Sequence, residues 1–273
     1  MADILIPAFL FLCMAALHFL RKKEISTPKN FSAEYEIGAA STFGTREIQQ
    51  DYFGIKKNNG VLLMTLADGI GADGEFAAKL AVDTFRDLFE KENAIIKPQY
   101  FFKRAANAAH KKITNTLEER QGESSIAAVI LKDAQFFYTV VGNCRVAVFR
   151  GGDLVPVSEG QTIDILARHS YSEGKISRQE TLELLNKHRS YNFLGQDSFS
   201  EIEFLSKPIA LQKKDMLVIM SEGIFNTLRW VEIESVLERN FSAQNTADEI
   251  IKLVNNSPIV SKDNATILIC RCQ

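Results

Sequence analysis

The sequence predicts an α+β fold, with antiparallel β-strands forming the core and α-helices packed outside. Two observations carry this. Four strand-like runs, 125–131, 135–141, 145–150 and 154–157, follow one another across turns bearing Lys132-Asp133, Gly142-Asn143 and Gly151-Gly-Asp153. Strands joined by such short turns are antiparallel neighbours, because a parallel crossover needs a dozen residues or more. Strands and helical stretches also come in groups rather than in strict alternation, as expected when helices cover antiparallel sheets.

The chain has 273 residues with 46% hydrophobic residues, enough for a sizeable core. A formal charge of −2 gives no argument for a nucleic-acid partner. The four cysteines, at 13, 144, 270 and 272, have neither zinc-site nor redox-pair spacing. Cys270 and Cys272 share one face of a strand and read as packing residues, a usage that fits a reducing compartment.

In chain order, residues 4–20 carry no formal charge apart from a protonatable His18, and Arg21-Lys-Lys23 follows at once. Seventeen helical residues reach about 25 Å, near the short limit for a bilayer. Basic residues after the apolar run, not before it, speak against a secretory signal. The expectation is an N-terminal membrane anchor helix over 1–23, single-pass in the cell membrane, with the C-terminal bulk in the cytoplasm. An interfacial or partner-packing helix is the alternative, since Pro7 and His18 weaken the span. Residues 24–33, polar with Pro28, read as a linker, and 34–273 as the folded domain.

Within that domain, strands are expected at 35–41, 52–57 and 61–67. Ala77, Ala81, Phe85 and Phe89 recur on one face of a helix over 75–91. Phe102, Ala106, Ala109, Ile113 and Leu117 do so over 99–120. After the four strands, 161–200 is polar and mostly helical, with a capping box at Ser177 and Glu180. Strands return at 201–205 and 215–220. Helices are expected at 230–239 and 246–255, the second beginning at Thr246-x-x-Glu249. A strand over 265–272 closes the chain.

The chemistry gathers where acids meet strand ends. Val61-Leu-Leu-Met-Thr-Leu-Ala67 delivers Asp68 into a glycine-rich turn, Asp68-Gly-Ile-Gly-Ala-Asp-Gly74. Alone, Asp68 is either a helix cap or a metal ligand. The pattern recurs at Gln50-Asp51, preceded by Arg46, at Ser221-Glu-Gly223 after an apolar strand, and at Asp263-Asn264 before the last one. Hard divalent cations prefer several oxygens at one point, and acids at adjacent strand ends supply them.

With these motifs in this order, the chain resembles the metal-dependent protein phosphatases (protein phosphatase 2C-like, PPM) of bacterial type, from about residue 34 to the C-terminus. The matching segments are Arg46…Gln50-Asp51, Ala67-Asp-Gly-Ile-Gly71, Gly142-Asn-Cys-Arg145, Asn192-Phe-Leu-Gly195, Ser221-Glu-Gly223 and Asp263-Asn264. The resemblance implies a four-layer sandwich, two antiparallel sheets packed face to face and flanked by helices, with a two-metal site at one edge.

It implies hydrolysis of phosphoserine and phosphothreonine in proteins, by water activated between two Mn²⁺ or Mg²⁺ ions, with a serine/threonine kinase acting in opposition. Carried over by position, Asp68 bridges the metals, Gly69 offers its carbonyl, and Glu222 and Asp263 complete the shell. Asp51 holds a metal-bound water, and Arg46 binds the substrate phosphate. No nucleophilic Ser, Cys or His is required, and His110 and His188 read as packing or surface residues. Three positions depart from the family pattern: Glu222 and Asn143 each stand where it has aspartate, and Gln50 at an often acidic position. A non-catalytic relative that binds a phosphoprotein therefore stays open beside the enzyme.

Overall fold

Alternation along the central strands decides the architecture. In β3 (Val61–Ile70), Leu62, Met64 and Leu66 face one way while Leu63 and Ala67 face the other, and both sets are buried. The same holds in β4 (Glu123–Lys132), where Ala127, Val129 and Leu131 oppose Ile126, Ala128 and Ile130. Side chains alternate across a strand, so a run apolar at every position needs an apolar neighbour on both faces. This is a computed structural model, and it describes residues 35–117, 121–187, 189–239 and 241–273.

Two sheets result. The first contains β1 (Tyr35–Thr42), β11 (Ala265–Cys272), β10 (Met216–Met220), β6 (Arg145–Arg150) and β7 (Asp153–Pro156), in that spatial order. The second orders β2 (Asp51–Asn58), β3, β4, β5 (Gln135–Val141) and β8 (Glu203–Phe204), with β9 (Ile209–Ala210) also on β5. Every pairing is antiparallel.

Between the sheets, Leu62, Met64 and Leu66 meet Val146, Leu217, Ile219, Leu268 and Cys270. Outside the second sheet lie α1 (Gly74–Lys91) and α2 (Pro98–Leu117), joined by an edge-to-face contact of Phe85 and Phe101 at 6.3 Å. Burying each such ring contributes roughly 1.5–3 kcal/mol. A short pair, α3 (Ile163–Ser172) and α4 (Arg178–Leu184), follows β7. Outside the first sheet lie α5 (Glu222–Thr227), α6 (Trp230–Leu237) and α7 (Ala243–Asn256). The order helix, sheet, sheet, helix is the expected four-layer sandwich.

The capping box at the start of α4 forms as expected, Ser177 Oγ accepting from Glu180 N–H and Glu180 accepting from Ser177 N–H. Elsewhere the structure corrects the boundaries. The helix expected from Thr246 begins at Ala243, where Ser242 Oγ accepts from Asn245 N–H; Thr246 is buried and bonds back to Ser242. Strand 201–205 shortens to two residues, while β9 and α5 have no sequence precursor. Buried Cys270 and Cys272 pack in the inter-sheet core. His110 also packs, stacking on Phe199 while Nδ1 accepts from Gly195 N–H.

The anchor expected at 4–20, the linker at 24–33, Cys13 and His188 lie outside the described residues. Among the described residues, no helix is long and apolar enough to cross a membrane.

Candidate active site

The ends of β2, β3, β10 and β11 fall at one edge of the sandwich. Asp51 opens β2 and Asp68 lies near the end of β3, and the antiparallel register places them directly opposite one another. The strand thus runs on through Asp68, which caps no helix; Asp73 precedes α1. Like charges facing across a ladder repel, so this pair is tolerated only where something neutralises it.

Its surroundings sharpen the problem. Burial, then the charges of Asp51, Glu222 and Asp263, push the Asp68 carboxyl well above the usual range, against the Glu222 backbone N–H. Asp51, 7% exposed, is pushed up to about 6, chiefly by burial with a contribution from Asp263, while Thr266 and Ser221 oppose the shift. Ser221 Oγ donates to Asp51 Oδ2 at 2.8 Å and accepts from Thr266 N–H at 2.9 Å, tying the two sheets together. Asp51 Oδ1 is buried without a hydrogen-bond partner.

Glycines let the backbones close in. Gly69 N–H donates to Gln50 O, and a Cβ there would lie 2.1 Å from Gly74 O. At Gly223 a Cβ would lie 2.0 Å from Asn264 O. Asn264 in turn holds the 43–50 loop, donating to Phe43 O and Ile48 O and accepting from Gln50 N–H. The motif thus contains a loop clamp that its composition alone does not announce.

Asp68, Gly69, Glu222, Asp263 and Arg46 all line one open cleft of about 760 Å³. Two of the acids are engaged elsewhere. Arg46 forks onto Asp263 with two 3.0 Å bonds, Nε to Oδ1 and Nη2 to Oδ2. Glu222 accepts from Asn143 Nδ2 and, at 2.8 Å, from Asn226 Nδ2. Asn143 Oδ1 is itself taken by Ser125 Oγ at 2.9 Å. Among the described residues, no three His, Cys, Asp or Glu side chains converge closely enough to hold an ion.

The donor set nevertheless suits a hard cation. It offers oxygen donors only, a mutually repelling group of carboxylates around Asp68, and one orphaned buried oxygen on Asp51. Cys144, buried beneath, is no nucleophile, since burial and then Asp68, Asp51 and Glu222 push its thiol well up. Arg189, ahead of the Asn192–Gly195 segment, also lines the cleft and was not singled out from sequence, since it belongs to neither motif of its polar segment.

A four-layer sandwich of two antiparallel sheets with acids gathered at one edge is the class these features define. The Protein phosphatase 2C family matches residues 40–255, and the chain belongs to that family. A serine/threonine phosphatase, stp, of Listeria welshimeri is 23% identical over 217 residues, covering 76% of this chain and 83% of that protein. The structure of the S. agalactiae serine/threonine phosphatase superposes with a TM-score of 0.74 at 22% identity, covering 88% of this chain and all of that one. The catalytic domain of the phosphatase PstP, solved with two manganese ions, gives a TM-score of 0.67 at 18% identity, covering 87% and 97%.

Proposed function

We propose that this chain is a metal-dependent protein serine/threonine phosphatase that hydrolyses phosphoserine and phosphothreonine in proteins. The observation that carries the reading is the facing pair Asp51–Asp68 at the edge where Glu222 and Asp263 also stand. Asp68, the Gly69 carbonyl, Glu222 and Asp263 would hold Mn²⁺ or Mg²⁺. Bound there, such ions supply an acidified water and neutralise charge on the phosphoryl group.

The residues themselves do the rest. Arg46 offers a bidentate fork to the phosphate oxygens once it releases Asp263. Asp51 keeps Oδ2 on Ser221 and leaves Oδ1 to accept a hydrogen bond from the attacking water. Water adds to phosphorus as the serine or threonine oxygen departs with a proton, giving inorganic phosphate and the free hydroxyl.

The test is turnover of p-nitrophenyl phosphate and a phosphothreonine peptide by the purified full-length protein with Mn²⁺ or Mg²⁺. Metal-dependent turnover lost in Asp68→Asn supports the reading. A second reading, a phosphoprotein-binding domain without turnover, draws on Glu222 and Asp263 being held by Asn143 and Arg46. Tight phosphoprotein binding with no turnover at saturating metal would favour it.

The proposal extends to substrates of a serine/threonine kinase, and to a cytoplasm-facing domain tethered by residues 4–20. The tether rests on sequence alone. A full-length protein released from membranes by high salt would sink it.

A further inference from the structure

Next to the carboxylate cleft lies a second cavity of about 290 Å³, and the two share Asn143 and Glu222 in their walls. Arg145, Phe225, Leu228 and Trp230 line the second one. Arg145 opens β6 half-buried, its guanidinium carbon 4.2 Å from the centre of the Phe225 ring. That contact satisfies its charge in part and none of its N–H groups.

The acids around it are committed. Glu222 is held by Asn143 and Asn226, Asp164 accepts from the Thr162 hydroxyl at 2.6 Å, and Glu159, also lining the cavity, pairs with His169 Nε2 at 2.8 Å. Arg229, also lining the cavity, holds Glu232. Among the described residues, the Arg145 side chain makes no hydrogen bond and no ion pair. A half-buried guanidinium presents five donors in a planar fork, and leaving them without acceptors is costly.

We infer that this cavity is a subsite for an anionic side chain flanking the phosphorylated residue of the substrate, with Arg145 as the residue that selects it. The anion is a carboxylate of Asp or Glu, or a second phosphoryl group. The inference rests on the phosphatase reading, which places the reacting phosphate in the adjoining cleft. A cation beside Glu222 would offset the one acid the cavities share and leave the pocket more attractive to anions.

The experiment compares kcat/KM of the full-length protein on phosphothreonine peptides flanked by aspartates, by a second phosphothreonine, or by alanines. An anionic flank is expected to gain roughly tenfold over alanine, the scale of one charge-assisted pair. That ratio should fall to near one in Arg145→Gln and survive in part in Arg145→Lys. Being taken within each protein, the ratio is not mimicked by a general loss of turnover. An advantage for the aspartate peptide identifies a carboxylate site, and one for the doubly phosphorylated peptide alone a phosphoryl site. A wild-type ratio of one or less overturns the proposal, whether or not the variants fold.

Trp230, the only tryptophan in the chain, gives a readout without turnover. An unphosphorylated aspartate-flanked peptide should change its fluorescence in the wild type and not in Arg145→Gln. That change in a protein inert toward p-nitrophenyl phosphate would sink the phosphatase reading and leave an anion site. Turnover without any flank preference would sink the subsite alone.

Discussion

The two halves of the carboxylate cleft are built differently. Asp51 and Asp68 come from the second sheet, fixed by strand register and, for Asp51, by Ser221. Glu222 and Asp263 come from the ends of β10 and β11 in the first sheet, one opening a six-residue helix and the other in a loop. The first pair is held rigidly in a place that raises its own free energy. The second is adjustable, and each member has taken a substitute partner, Asn143 with Asn226 for Glu222 and Arg46 for Asp263. The contrast teaches where cost and adjustability lie: repulsion is stored in the ladder, and the movable donors sit on the loops that must close around an ion.

The largest effect is expected from breaking the rigid half. Asp68→Asn should lower metal-dependent turnover by on the order of 10²–10³-fold or more, as when a principal electrostatic group leaves an active site. The same change relieves the repulsion with Asp51. The metal-free variant should therefore melt higher than wild type at pH 7, by about 2–4 °C per kcal/mol gained. Calorimetry checks this, and an unchanged or lower melting temperature would mean the facing pair stores no strain.

A pH series probes the same half without mutation. The folded-state pKa of Asp51 is raised to about 6 from 3.8. A carboxyl raised on folding stabilises most below its unfolded value, and that stability is lost as pH rises through the folded one. Metal-free protein should thus lose on the order of 3 kcal/mol from Asp51 between about pH 4 and pH 7, with Asp68 adding to the loss in the same direction. Urea midpoints measure it. Saturating Mn²⁺ should flatten the profile, because an ion on deprotonated Asp68, beside Asp51, favours the ionised carboxyls and protons compete with it; parallel curves with and without metal would place the ion elsewhere.

The rigid half was also the more legible in sequence. An apolar strand ending in Asp68 and a β2 opening on Asp51 are local patterns, and local patterns survive in a one-dimensional reading. Their facing register is a cross-strand property that no spacing reveals. The loop half was legible only as motif residues. That Arg46 forks onto Asp263 depends on residues 217 positions apart meeting across β1 and β11. Asn264 as a clamp was hidden for the same reason, and α5 as a helix because six residues show no helical period. Antiparallel sheets with helices outside could be read from short turns and the grouping of elements, whereas the four-layer sandwich followed from the family resemblance of the motifs.

Shortening the movable acid tests the adjustable half. Glu222→Asp gives up the bonds to Asn143 and Asn226 and sets a shorter carboxylate at the position the family gives to aspartate. Magnesium tolerates little deviation from an octahedron, so Mg²⁺-supported turnover should rise several-fold. An unchanged or lower rate would show that Glu222 already reaches the ion.

The smallest effect on stability belongs to the Arg46–Asp263 fork. Both side chains are more than half exposed, at 56% and 55%, so solvent screens the pair and its net contribution is about 0–1 kcal/mol. Arg46→Ala should leave the melting temperature within a few degrees of wild type. Its effect should fall on ligands, in opposite directions. KM for a phosphopeptide should rise about tenfold or more through loss of the phosphate fork. The Mn²⁺ concentration for half-maximal thermal protection should fall, because Asp263 no longer has to be released by a competing cation. Titration calorimetry separates the two. If metal affinity drops on removing Arg46, the arginine supports Asp263 instead of competing for it, and the loop half is as pre-set as the ladder.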